Sequence, residues 1–465
     1  MKNRVTFVIL AAGLGTRMKS KIAKVLHEAG GDTLLNHVIR AALRVAPAEQ
    51  IAVVIGYQAQ QVRESVKFAG VRFVEQTEQK GTGHALLCAR DAIQSIQGQI
   101  VILNGDGPLV KETTLKALLE HQVAGAFSAT LVTNKLADPT GYGRIIRDEH
   151  GLIAAVVEQK AASREQLQIR EINSGVYCFN AAQLWQYIGE LKPSSVTQEY
   201  YLTDMVETLT RHGHRVAPML IGDDTELLGI NTRVELAAAD KILRARKAQE
   251  LMLSGVTIEC PESVAVDADV EIGQDSVIEA NAQLRGRTRI GSNCRIGTGS
   301  ILRDCDIADH VTILPYVVAE SCSIGAGAFV GPFARLRMNA EAAEGTHIGN
   351  FVELKKTKLG KGSKANHLAY LGDATIGADV NVGAGTITCN YDGTRKHPTT
   401  IADGVFVGSN ATLVAPLTIA EGAYVAAGST ITKNVESDAL ALGRAYQVDK
   451  PGWAKRRRHQ NNGSS

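Results

Sequence analysis

From position 266 to position 431, an aliphatic residue returns at nearly every sixth position of the chain. The aliphatic positions are Val266, Ile272, Ile278, Leu284, Ile290, Ile296, Ile307, Ile313, Ile324, Val330, Leu336, Ile348, Leu354, Ile376, Val382, Ile401, Val407, Leu413, Ile419, Val425 and Ile431. A glycine follows many of them, and four mostly polar or small residues complete each unit. This spacing is typical of the hexapeptide repeat of a parallel β-helix, in which each unit forms one short strand and one turn.

Three such units, about 18 residues, close one triangular coil, so the repeat region predicts roughly ten coils. The aliphatic side chains must point inward and stack from coil to coil, because a single coil cannot bury its own apolar face. The six-residue spacing is interrupted between Thr388 and Ile401 by the polar insertion CNYDGTRKHPTT. Insertions in solenoids usually line a binding face, so we expect a binding site at this point.

The first half of the chain has a different pattern, in which short apolar runs alternate with helical stretches. The strand-like runs lie at 5–12, 51–56, 71–75 and 100–103, and the helical stretches include 33–45 and 83–96. This alternation predicts an α/β domain with a doubly wound, Rossmann-like sheet. In such sheets, ligands bind at the carboxyl ends of the parallel strands.

A glycine-rich turn follows the first predicted strand directly. Gly13 and Gly15 allow the backbone to approach an anionic ligand, and Arg17 and Lys24 bring positive charge. The turn matches neither the GxGxxG motif nor a Walker loop. Taken alone it is open to two interpretations, a phosphate-binding turn or an ordinary connection between a strand and a helix.

Polar residues also follow two other predicted strands. Gln76, Gly81 and Thr82 come after one strand, and Asn104 and Asp106 come after another. Both groups therefore belong to the binding edge of the predicted sheet. The carboxylate of Asp106 suits Mg²⁺, which takes one or two protein oxygens together with water and substrate phosphates.

Between the two halves, residues 232–254 contain neither proline nor glycine and are rich in Ala, Leu, Lys, Arg and Glu. They predict one helix of about 34 Å, at 1.5 Å per residue, which should separate two active sites. The chain is accordingly divided into an α/β domain at 1–231, a linker helix at 232–254, a β-helix domain at 255–450 and a basic, flexible tail at 451–465.

Composition limits the partners of the protein. The 465 residues carry a formal net charge of +2, and 21% of them are charged, so nothing in the overall charge indicates nucleic acid. The seven cysteines are odd in number and lack CxxC spacing, which favours free thiols in a reducing cytoplasm. No segment reaches membrane-spanning length, and the N-terminus has the pattern of a strand rather than of a signal peptide.

Several motifs of the first half resemble one bacterial enzyme family. They are LAAGLGTRM with Lys24, QTEQKGTGHA, GDGPL, DPTGYGRI, Glu158, EINSGVY and GINTR. They are similar to the nucleotidyltransferase half of the bifunctional N-acetylglucosamine-1-phosphate uridyltransferase and glucosamine-1-phosphate acetyltransferase. In the second half, RLRMNAEAAEGTHIGNFVELKK and KANHLAYLGDATIGADVNVGAGTITCNYDGTRKHPTT resemble the acetyltransferase half. The resemblance extends nearly end to end.

For the first domain, the resemblance implies a uridyltransferase, or pyrophosphorylase, site. Uracil and ribose would be held by Leu10, Ala11, Ala12, Gly13, Gln76, Gly81 and Thr82, and the acetylated sugar by Gly143, Glu158 and Asn173. Asn104 would also belong to the nucleotide-sugar site. Arg17 and Lys24 would act on the phosphates as catalytic cations. Asp106 and Asn231 would bind Mg²⁺.

For the second domain, the resemblance implies a left-handed β-helix that trimerises and builds acetyltransferase sites at its subunit boundaries. The sugar phosphate would be held by Arg337, Lys355, Tyr370, Asn381 and Lys396, with His367 as the general base. Asn390 and Tyr391 would flank the reacting amine, and Ala384, Ser409, Ala427 and Arg444 would line the acetyl-CoA channel. The basic run at 455–459 is either a solvated end or a clamp on the phosphates of CoA.

The chain departs from the family pattern at a few positions. Leu14 stands where many relatives carry Lys or Pro, and Met338 replaces the proline after RLR. Ala23 replaces the proline before Lys24, a change expected to loosen that loop. Asn104 replaces an aromatic residue, which is expected to alter packing against the nucleotide.

The resemblance thus implies a bifunctional, homotrimeric enzyme of UDP-N-acetylglucosamine synthesis. Its substrates would be acetyl-CoA, glucosamine-1-phosphate, N-acetylglucosamine-1-phosphate and UTP, and its product would supply peptidoglycan and lipopolysaccharide. One alternative is a monofunctional nucleotidyltransferase whose β-helix is structural or regulatory. Others are a non-catalytic interaction solenoid, or a trimeric zinc enzyme with histidines shared between subunits, for which only His347, His367 and His397 fall near the relevant coils.

Overall fold

The computed structural model describes residues 5–93, 97–195, 197–223 and 225–462. The chain forms two compact units, Met1–Arg246 and Lys247–Ser465. The last three positions of the helix predicted at 83–96 lie outside the described residues, and the rest of that stretch belongs to the helix Thr82–Ile93.

The first unit is built on a twisted sheet with helices on both sides. Its strands run in the spatial order Val216–Leu220, Ala129–Lys135, Glu171–Asn180, Gln99–Asn104, Val5–Ala11, Ile51–Ile55 and Arg72–Glu75. Most neighbours are parallel, but Glu171–Asn180 is antiparallel to both of its neighbours. The hairpin of Arg144–Arg147 and Ile153–Val157 joins it on one side. The predicted doubly wound α/β architecture is therefore confirmed, with one reversed strand in the sheet.

The first helix of this unit begins at a capping hydrogen bond. Thr33 caps it, because its hydroxyl accepts a hydrogen bond from the backbone N–H of Asn36. The α-helices are Leu34–Leu43, Ala59–Ser65, Thr82–Ile93, Glu112–Ala124, Ala181–Tyr187, Asp204–Arg211 and Arg233–Leu253. Short 3₁₀ turns lie at Thr16–Met18, Lys24–Leu26, Ala48–Gln50, Gln166–Gln168 and Ile188–Glu190, and a small β-ladder joins Glu28–Ala29 to Asp32–Thr33.

The central strands are buried on both faces. Phe7, Val8 and Ile9 alternate between two apolar clusters on opposite sides of the sheet, and all three are fully buried. Since Val5–Ala11 and Gln99–Asn104 run parallel in register, their carboxyl ends meet at one edge. The glycine-rich turn and Asp106 begin at that edge.

The second unit is a solenoid with three flat faces, each formed by one strand per coil. The first face comprises Thr257–Ile258, Val277–Ile278, Arg295–Ile296, Thr312–Ile313, Phe329–Val330, His347–Asn350, Lys364–His367, Asn381–Val382, Phe406–Val407, Tyr424–Val425 and Leu440–Ala441. The second comprises Ala265–Val266, Gln283–Arg285, Ile301–Arg303, Val318–Glu320, Arg335–Arg337, Glu353–Lys355, Tyr370–Gly372, Ile387–Cys389, Thr412–Val414 and Thr430–Ile431. The third comprises Glu271–Ile272, Arg289–Ile290, Asp306–Ile307, Ser323–Ile324, Glu341–Ala342, Lys358–Leu359, Ala374–Ile376, Thr399–Ile401 and Leu417–Ile419.

All pairings within these faces are parallel, and equivalent aliphatic residues stand opposite each other. Ile278 pairs with Ile296, for example, and Leu354 pairs with Leu371. These side chains fill the interior as one continuous apolar cluster. The hexapeptide solenoid predicted from the spacing is therefore confirmed, and it belongs to the left-handed β-helices.

The polar insertion projects from the solenoid between Ile387–Cys389 and Thr399–Ile401. It is a hairpin-like loop in which Tyr391 bridges to Lys396. A further helix, Trp453–Asn462, forms where the tail was expected, and its side chains up to His459 are exposed. Among the helices of the described ranges, none has both the length and the apolar character needed to cross a membrane.

Candidate functional site

A cavity of about 350 Å³ opens at the carboxyl edge of the sheet in the first unit. Nine residues predicted from the sequence line it together: Leu10, Arg17, Thr82, Asn104, Asp106, Gly143, Glu158, Asn173 and Asn231. Tyr142, Tyr177, Tyr201 and Thr203 also line it, and sequence reasoning did not single them out. Tyr142 precedes the hairpin, Tyr177 lies on the reversed strand Glu171–Asn180, and Tyr201 and Thr203 precede the helix Asp204–Arg211. Sequence periodicity does not show that these segments meet.

Two cationic side chains and two side chains with acceptor oxygens meet at one end of this cavity. Lys24 Nζ bonds to the carboxylate Oδ2 of Asp106 and lies 3.0 Å from Asn231 Oδ1. Arg17 Nη2 donates to the same Asn231 oxygen at 2.8 Å. The four side chains come from positions up to 214 residues apart in the chain. This cluster therefore has both the positive charge and the oxygen ligands that a metal–phosphate complex needs.

The donor set fits Mg²⁺. Oxygens of Asp106 and Asn231 both face a single cationic atom, Lys24 Nζ, so they already converge on a point of positive charge. Within the ranges that the structure describes, no group of three or more His, Cys, Asp or Glu side chains could hold a metal ion. An ion here would take its other ligands from water and phosphates, as Mg²⁺ commonly does.

The loop that carries Lys24 is anchored from outside. The backbone N–H of Ala23 donates to Gln58 Oε1 at 2.6 Å, and Gln58 Nε2 donates to the carbonyl of Lys21 at 2.9 Å. Proline at position 23 would lack this N–H, so the expected loosening by Ala23 is offset by a hydrogen bond that proline cannot make. Gly15 (φ 63°) passes so close that an added Cβ would lie 2.5 Å from Lys24 Cβ.

Gln76 lies beside the cavity lining rather than in it, and it is held tightly. Its Nε2 donates to the carbonyl of Gly81 at 3.1 Å and lies 3.0 Å from His84 Nδ1. Because the Gly81 carbonyl can only accept, the amide nitrogen must face it, and His84 must then accept at Nδ1. The carbonyl oxygen Oε1 is thus the group that Gln76 offers to a ligand. His84 was missed by sequence reasoning, although it stands inside the motif QTEQKGTGHA.

The remaining predicted nucleotide residues are backbone positions. Ala11 and Ala12 are buried, and the backbone of Tyr57 donates to the Ala12 carbonyl at 3.3 Å. At Gly13, an added Cβ would meet nothing within 4 Å, so its surface faces open space. None of these three residues is among those that line the cavity.

Polar groups form the opposite end of the cavity. Glu158 Oε1 accepts from Thr203 Oγ1 at 3.2 Å, and Asn173 Nδ2 donates to the hydroxyl of Tyr177 at 2.7 Å. Burial raises the pKa of Glu158, and the nearby carboxylates of Asp204 and Glu199 add to that rise. A carboxyl group in such a site suits hydrogen bonding to a neutral polyhydroxyl ligand.

Asn104 occupies the space beside a glycine. A Cβ on Gly175, which has a φ of 78°, would lie 2.2 Å from Asn104 Nδ2. The amide therefore packs on a bare backbone position and still lines the cavity. Leu14 is exposed in the turn and has no part in this lining.

In the second unit, a charged cluster lies where the second face meets the third. Lys355 Nζ donates to Asp373 Oδ2 at 2.7 Å, and the Asn390 amide donates to the same oxygen. The side chains of Lys355 and Asp373 are only 6% and 11% exposed. Sequence reasoning missed Asp373. It could have been found by asking which carboxylate accompanies Lys355, because a buried lysine needs a charged partner.

Further cations surround this pair. Contact with Lys355 and its positive charge lower the pKa of Lys396, and Arg337 adds to that effect. Arg337 Nε donates to Glu353 Oε1 at 2.6 Å, and Arg337 and Lys355 are neighbours in the strand ladder. Three clustered cations favour an anionic ligand such as a phosphate.

Tyr370 and Asn381 lie at different distances from this cluster. The Tyr370 hydroxyl covers Gly372, where an added Cβ would lie 2.5 Å from it, and Gly372 is the ladder neighbour of Lys355. Asn381 lies on the first face, paired with Lys364. The structure thus brings Tyr370 to the cations and leaves Asn381 on another face of the same chain.

His367 stands on a different corner, where the first face meets the second. It is the last residue of the strand Lys364–His367, is exposed, and pairs with Asn350 in the coil before. Ala384, Ser409 and Ala427 occupy the same place in the next three coils, each two residues after an inward valine. We call these five residues the corner column.

Backbone hydrogen bonds tie the corner column together. The N–H of Gly385 donates to the His367 carbonyl at 3.4 Å, that of Asn410 to Ala384 at 2.7 Å, and that of Gly428 to Ser409 at 2.8 Å. With about 4.8 Å between coils, His367 stands about 14 Å from Ala427. Small residues over this length leave a shallow track that leads to the imidazole.

The other predicted residues of this unit lie at the surface. Tyr391 is 60% exposed on the insertion and Arg444 is exposed beyond the last coils. His397 Nε2 lies 2.7 Å from Asp392 Oδ2 within the insertion, while His347 contacts Phe329 on the first face. Within one chain, His347, His367 and His397 stand in three separate places.

Family comparisons agree with this division. Residues 7–167 match the MobA-like NTP transferase domain, 269–304 match the bacterial transferase hexapeptide (six repeats), and 398–433 match the hexapeptide repeat of succinyl-transferase. The fold and the two sites therefore define a transferase that joins a nucleotidyltransferase unit to a hexapeptide acyltransferase unit.

Three curated relatives match this chain over almost their whole length. The bifunctional protein GlmU of Solibacter usitatus (strain Ellin6076) is 56% identical, covering 98% of this chain and 98% of that protein. The GlmU of Anaeromyxobacter sp. (strain Fw109-5) is 51% identical, covering 98% and 94%. The GlmU of Koribacter versatilis (strain Ellin345) is 47% identical, covering 98% and 97%. The chain belongs to the bifunctional GlmU family, which confirms the family resemblance and makes it a bifunctional transferase.

Proposed function

We propose that the protein makes UDP-N-acetylglucosamine in two steps. The second unit transfers an acetyl group from acetyl-CoA to the amine of glucosamine-1-phosphate. The first unit then transfers a uridyl group from UTP to N-acetylglucosamine-1-phosphate and releases pyrophosphate. Its seven free cysteines suit the reducing cytoplasm in which these substrates are made.

The uridyl transfer is a phosphoryl displacement that needs positioning and charge. A phosphate oxygen of the sugar attacks the α-phosphorus of UTP, and pyrophosphate leaves from the opposite side. Arg17 and Lys24 stand where they neutralise the phosphates, while Glu158 and Asn173 hold the sugar. Mg²⁺, held by Asp106 and Asn231, would supply charge neutralisation and orient the phosphate oxygens.

The nucleobase is selected through an amide of fixed orientation. The side-chain nitrogen Nε2 of Gln76 is engaged with Gly81 and His84, so its oxygen Oε1 accepts a hydrogen bond from the base. The N3–H of uracil is a donor at that point, whereas N3 of cytosine is an acceptor. The amide therefore favours UTP over CTP.

In the acetyl transfer, His367 takes a proton from the ammonium group of the sugar and leaves it as a neutral amine. A neutral imidazole is a suitable base near neutral pH. Lys355, Lys396 and Arg337 hold the phosphate of the sugar, while Asp373 keeps the Lys355 ammonium in place. The amine then attacks the thioester carbonyl, and CoA departs as a thiol.

The corner column is the single observation that favours a catalytic β-helix over a purely structural one. It puts the one exposed basic group of the column, His367, at the head of a run of small residues, Ala384, Ser409 and Ala427. A track of this kind fits the long, thin arm of acetyl-CoA, with the thioester at the imidazole. Packing alone requires neither the histidine nor three small residues in sequence.

The site needs more than one copy of the chain. His367 ends a strand of the first face and Lys355 ends a strand of the second, so they occupy two different corners of one solenoid. A base on one corner and a sugar-phosphate cluster on another come together when neighbouring solenoids lie side by side. We therefore propose a homotrimer in which each acetyltransferase site spans a subunit boundary.

An apolar ladder next to the corner column supports this assembly. It consists of Tyr316, Phe333, Phe351 and Leu368, which are 53%, 47%, 56% and 63% exposed. The three rings stack with centroids 5.3 and 5.4 Å apart. All four residues have φ between 49° and 62°, a conformation that is unfavourable for bulky side chains. A second copy that covers the ladder would bury these exposed apolar side chains and offset the cost of their backbone conformation.

A coupled assay tests the function. With glucosamine-1-phosphate, UTP and Mg²⁺, UDP-N-acetylglucosamine should form only when acetyl-CoA is added. With N-acetylglucosamine-1-phosphate in place of the amine, it should form without acetyl-CoA. Product that forms only in the second reaction would leave the protein a monofunctional nucleotidyltransferase.

A further inference from the structure

Two cysteine sulfurs touch in the wall of the solenoid, at the start of two neighbouring strands of the third face. Cys305 and Cys322 are both free thiols, and their Sγ atoms lie 3.6 Å apart. The S–H of Cys322 donates to Cys305 Sγ, and the S–H of Cys305 donates to the carbonyl of Arg303 at 3.3 Å. They are thus positioned as a pair rather than as two isolated thiols.

The strand register of the third face holds the two cysteines next to each other. Asp306 pairs with Ser323 in successive coils, and the cysteines directly precede these residues. Adjacent parallel strands lie about 4.8 Å apart, which is within the Cα separation that a disulfide bridges. Rotation of the side chains can therefore close the gap between the sulfurs without moving a coil.

The pair also opens onto a cavity of about 460 Å³. Arg287 and Arg289 line it beside the two thiols, together with the carboxylates of Asp304, Asp306 and Glu341. A small reagent can enter a space of this size, although the cysteine residues themselves are only 2% and 6% exposed. Because carboxylates stand beside the arginines, any preference for a thiolate must come from the contact between the two thiols themselves.

Packing alone does not explain two cysteines here. The positions that directly precede the paired third-face residues in neighbouring coils hold Thr288, Ala340 and Thr357, so any small residue fills the space. Threonine at this position bonds back to the backbone, as Thr288 does to the carbonyl of Arg285 at 2.7 Å. Only Cys305 and Cys322 put two nucleophilic atoms in contact.

We propose that Cys305 and Cys322 form a modification site, a dithiol that a hydroperoxide converts reversibly to a disulfide. The thiolate of Cys305 attacks one oxygen of the hydroperoxide, breaking the O–O bond and leaving a sulfenic acid. Cys322 then attacks that sulfur, forms the S–S bond and releases water. Two thiols are oxidised, and one hydroperoxide is reduced to water and an alcohol, or to two waters for hydrogen peroxide.

The order of the two sulfurs follows from their hydrogen bond. The S–H of Cys322 stabilises negative charge on Cys305, which holds the pKa of Cys305 below its usual value in spite of burial. The same contact and burial raise the pKa of Cys322. Cys305 is therefore the nucleophile that meets the peroxide, and Cys322 is the thiol that resolves the sulfenic acid.

Tryptic mapping of the full-length protein tests the site. No Lys or Arg lies between Arg303 and Arg335, so one peptide, 304–335, carries both cysteines and no other. The reduced protein is treated with hydrogen peroxide, denatured, alkylated with N-ethylmaleimide and digested. We expect the peptide to lose two hydrogens and take up no maleimide, and to regain both alkylation sites after dithiothreitol.

Variants and an internal control separate this site from general oxidation. Cys294, another buried cysteine of the same solenoid, should react at least about tenfold more slowly than the pair. In Cys322→Ser, Cys305 should stop at a sulfenic acid that dimedone traps, and in Cys305→Ser no trapped species should appear at Cys322. A wild-type peptide that stays doubly alkylated while the exposed Cys260 is oxidised would overturn the proposal.

Discussion

Lys355 and Asp373 form a hydrogen-bonded ion pair of 2.7 Å in the wall of the β-helix, with both side chains almost fully buried. Eighteen residues separate them, one full coil, so the fold rather than local sequence brings them together. A buried ammonium is costly unless a carboxylate accompanies it. Asp373 therefore decides whether Lys355 can present its charge to a ligand.

The first prediction concerns this pair. Asp373→Asn should lower the stability of the second unit at neutral pH by roughly 1–3 kcal/mol, because Lys355 loses its charged partner. It should also raise KM for glucosamine-1-phosphate more than it lowers kcat, since a displaced lysine binds the phosphate less well. Urea unfolding and steady-state kinetics of acetyl transfer measure the two effects. An unchanged KM in a stable variant would contradict the phosphate role.

The stability effect should depend on pH in a definite direction. Burial alone would raise the pKa of Asp373, but hydrogen bonds from Lys355 and Asn390 and the charges of Lys355 and Lys356 outweigh it, and the pKa is lowered. The contribution is thus fully present above the ordinary value of about 3.9 and disappears as the pH falls through the folded-state pKa. Wild type and Asp373→Asn should differ at pH 7 and converge in acid.

His367→Ala tests the general base. The kcat of acetyl transfer should fall by about 10²- to 10⁴-fold, the usual contribution of a positioned base, with a smaller change in KM. Uridyl transfer from N-acetylglucosamine-1-phosphate should be unchanged. His347→Ala, which removes an imidazole from the same face, is the control and should retain acetyl transfer. Near wild-type turnover in His367→Ala would assign the proton to another group.

Asp106→Ala should separate the two activities. It removes the charged oxygen ligand and the partner of Lys24, so uridyl transfer should fall by at least about 10²-fold. Acetyl transfer should persist, because its residues all lie in the other unit. Asp91→Asn, an exposed carboxylate on the helix Thr82–Ile93, is the control for lost charge. Equal loss of both activities in a folded Asp106→Ala protein would contradict separate sites.

The role of His84 can be tested with two substitutions. In His84→Leu the Gln76 amide loses one acceptor, so kcat/KM for UTP should fall about tenfold and discrimination against CTP should narrow. His84→Asn should restore both, because its side-chain oxygen can accept where Nδ1 did. Acetyl transfer serves as the internal reference for folding. A UTP-to-CTP ratio that is the same in all three proteins would exclude this role.

The apolar ladder gives a test of assembly. Phe351→Asp puts a charge into the stack between Phe333 and Leu368, so the protein should sediment as a smaller species and lose acetyl transfer. Phe351→Leu keeps an apolar side chain and should retain both properties. Uridyl transfer should be the same in both variants. A Phe351→Asp protein that sediments like the wild type would remove the ladder from the interface.

The sequence by itself determined the solenoid and much of the first site. An aliphatic residue at every sixth position predicts a β-helix, because three six-residue units close one coil and place these side chains inside it. Gly15, Lys24 and Asp106 were found because a glycine turn and polar residues directly follow apolar strands. In each case the signal is local, so spacing along the chain is enough to reveal it.

Only the tertiary structure decided how distant residues meet. It set Asp373 beside Lys355 and His84 beside Gln76, and it put His367 and Lys355 on different corners of the solenoid. It also brought Cys305 and Cys322 into contact across one coil. These relations depend on strand register and on how loops pack over the ends of strands. Ile296 stacks on Ile313, 17 residues later, and Val330 stacks on Ile348, 18 residues later. Because the turns absorb such differences in coil length, the six-residue period does not specify which polar side chains become neighbours.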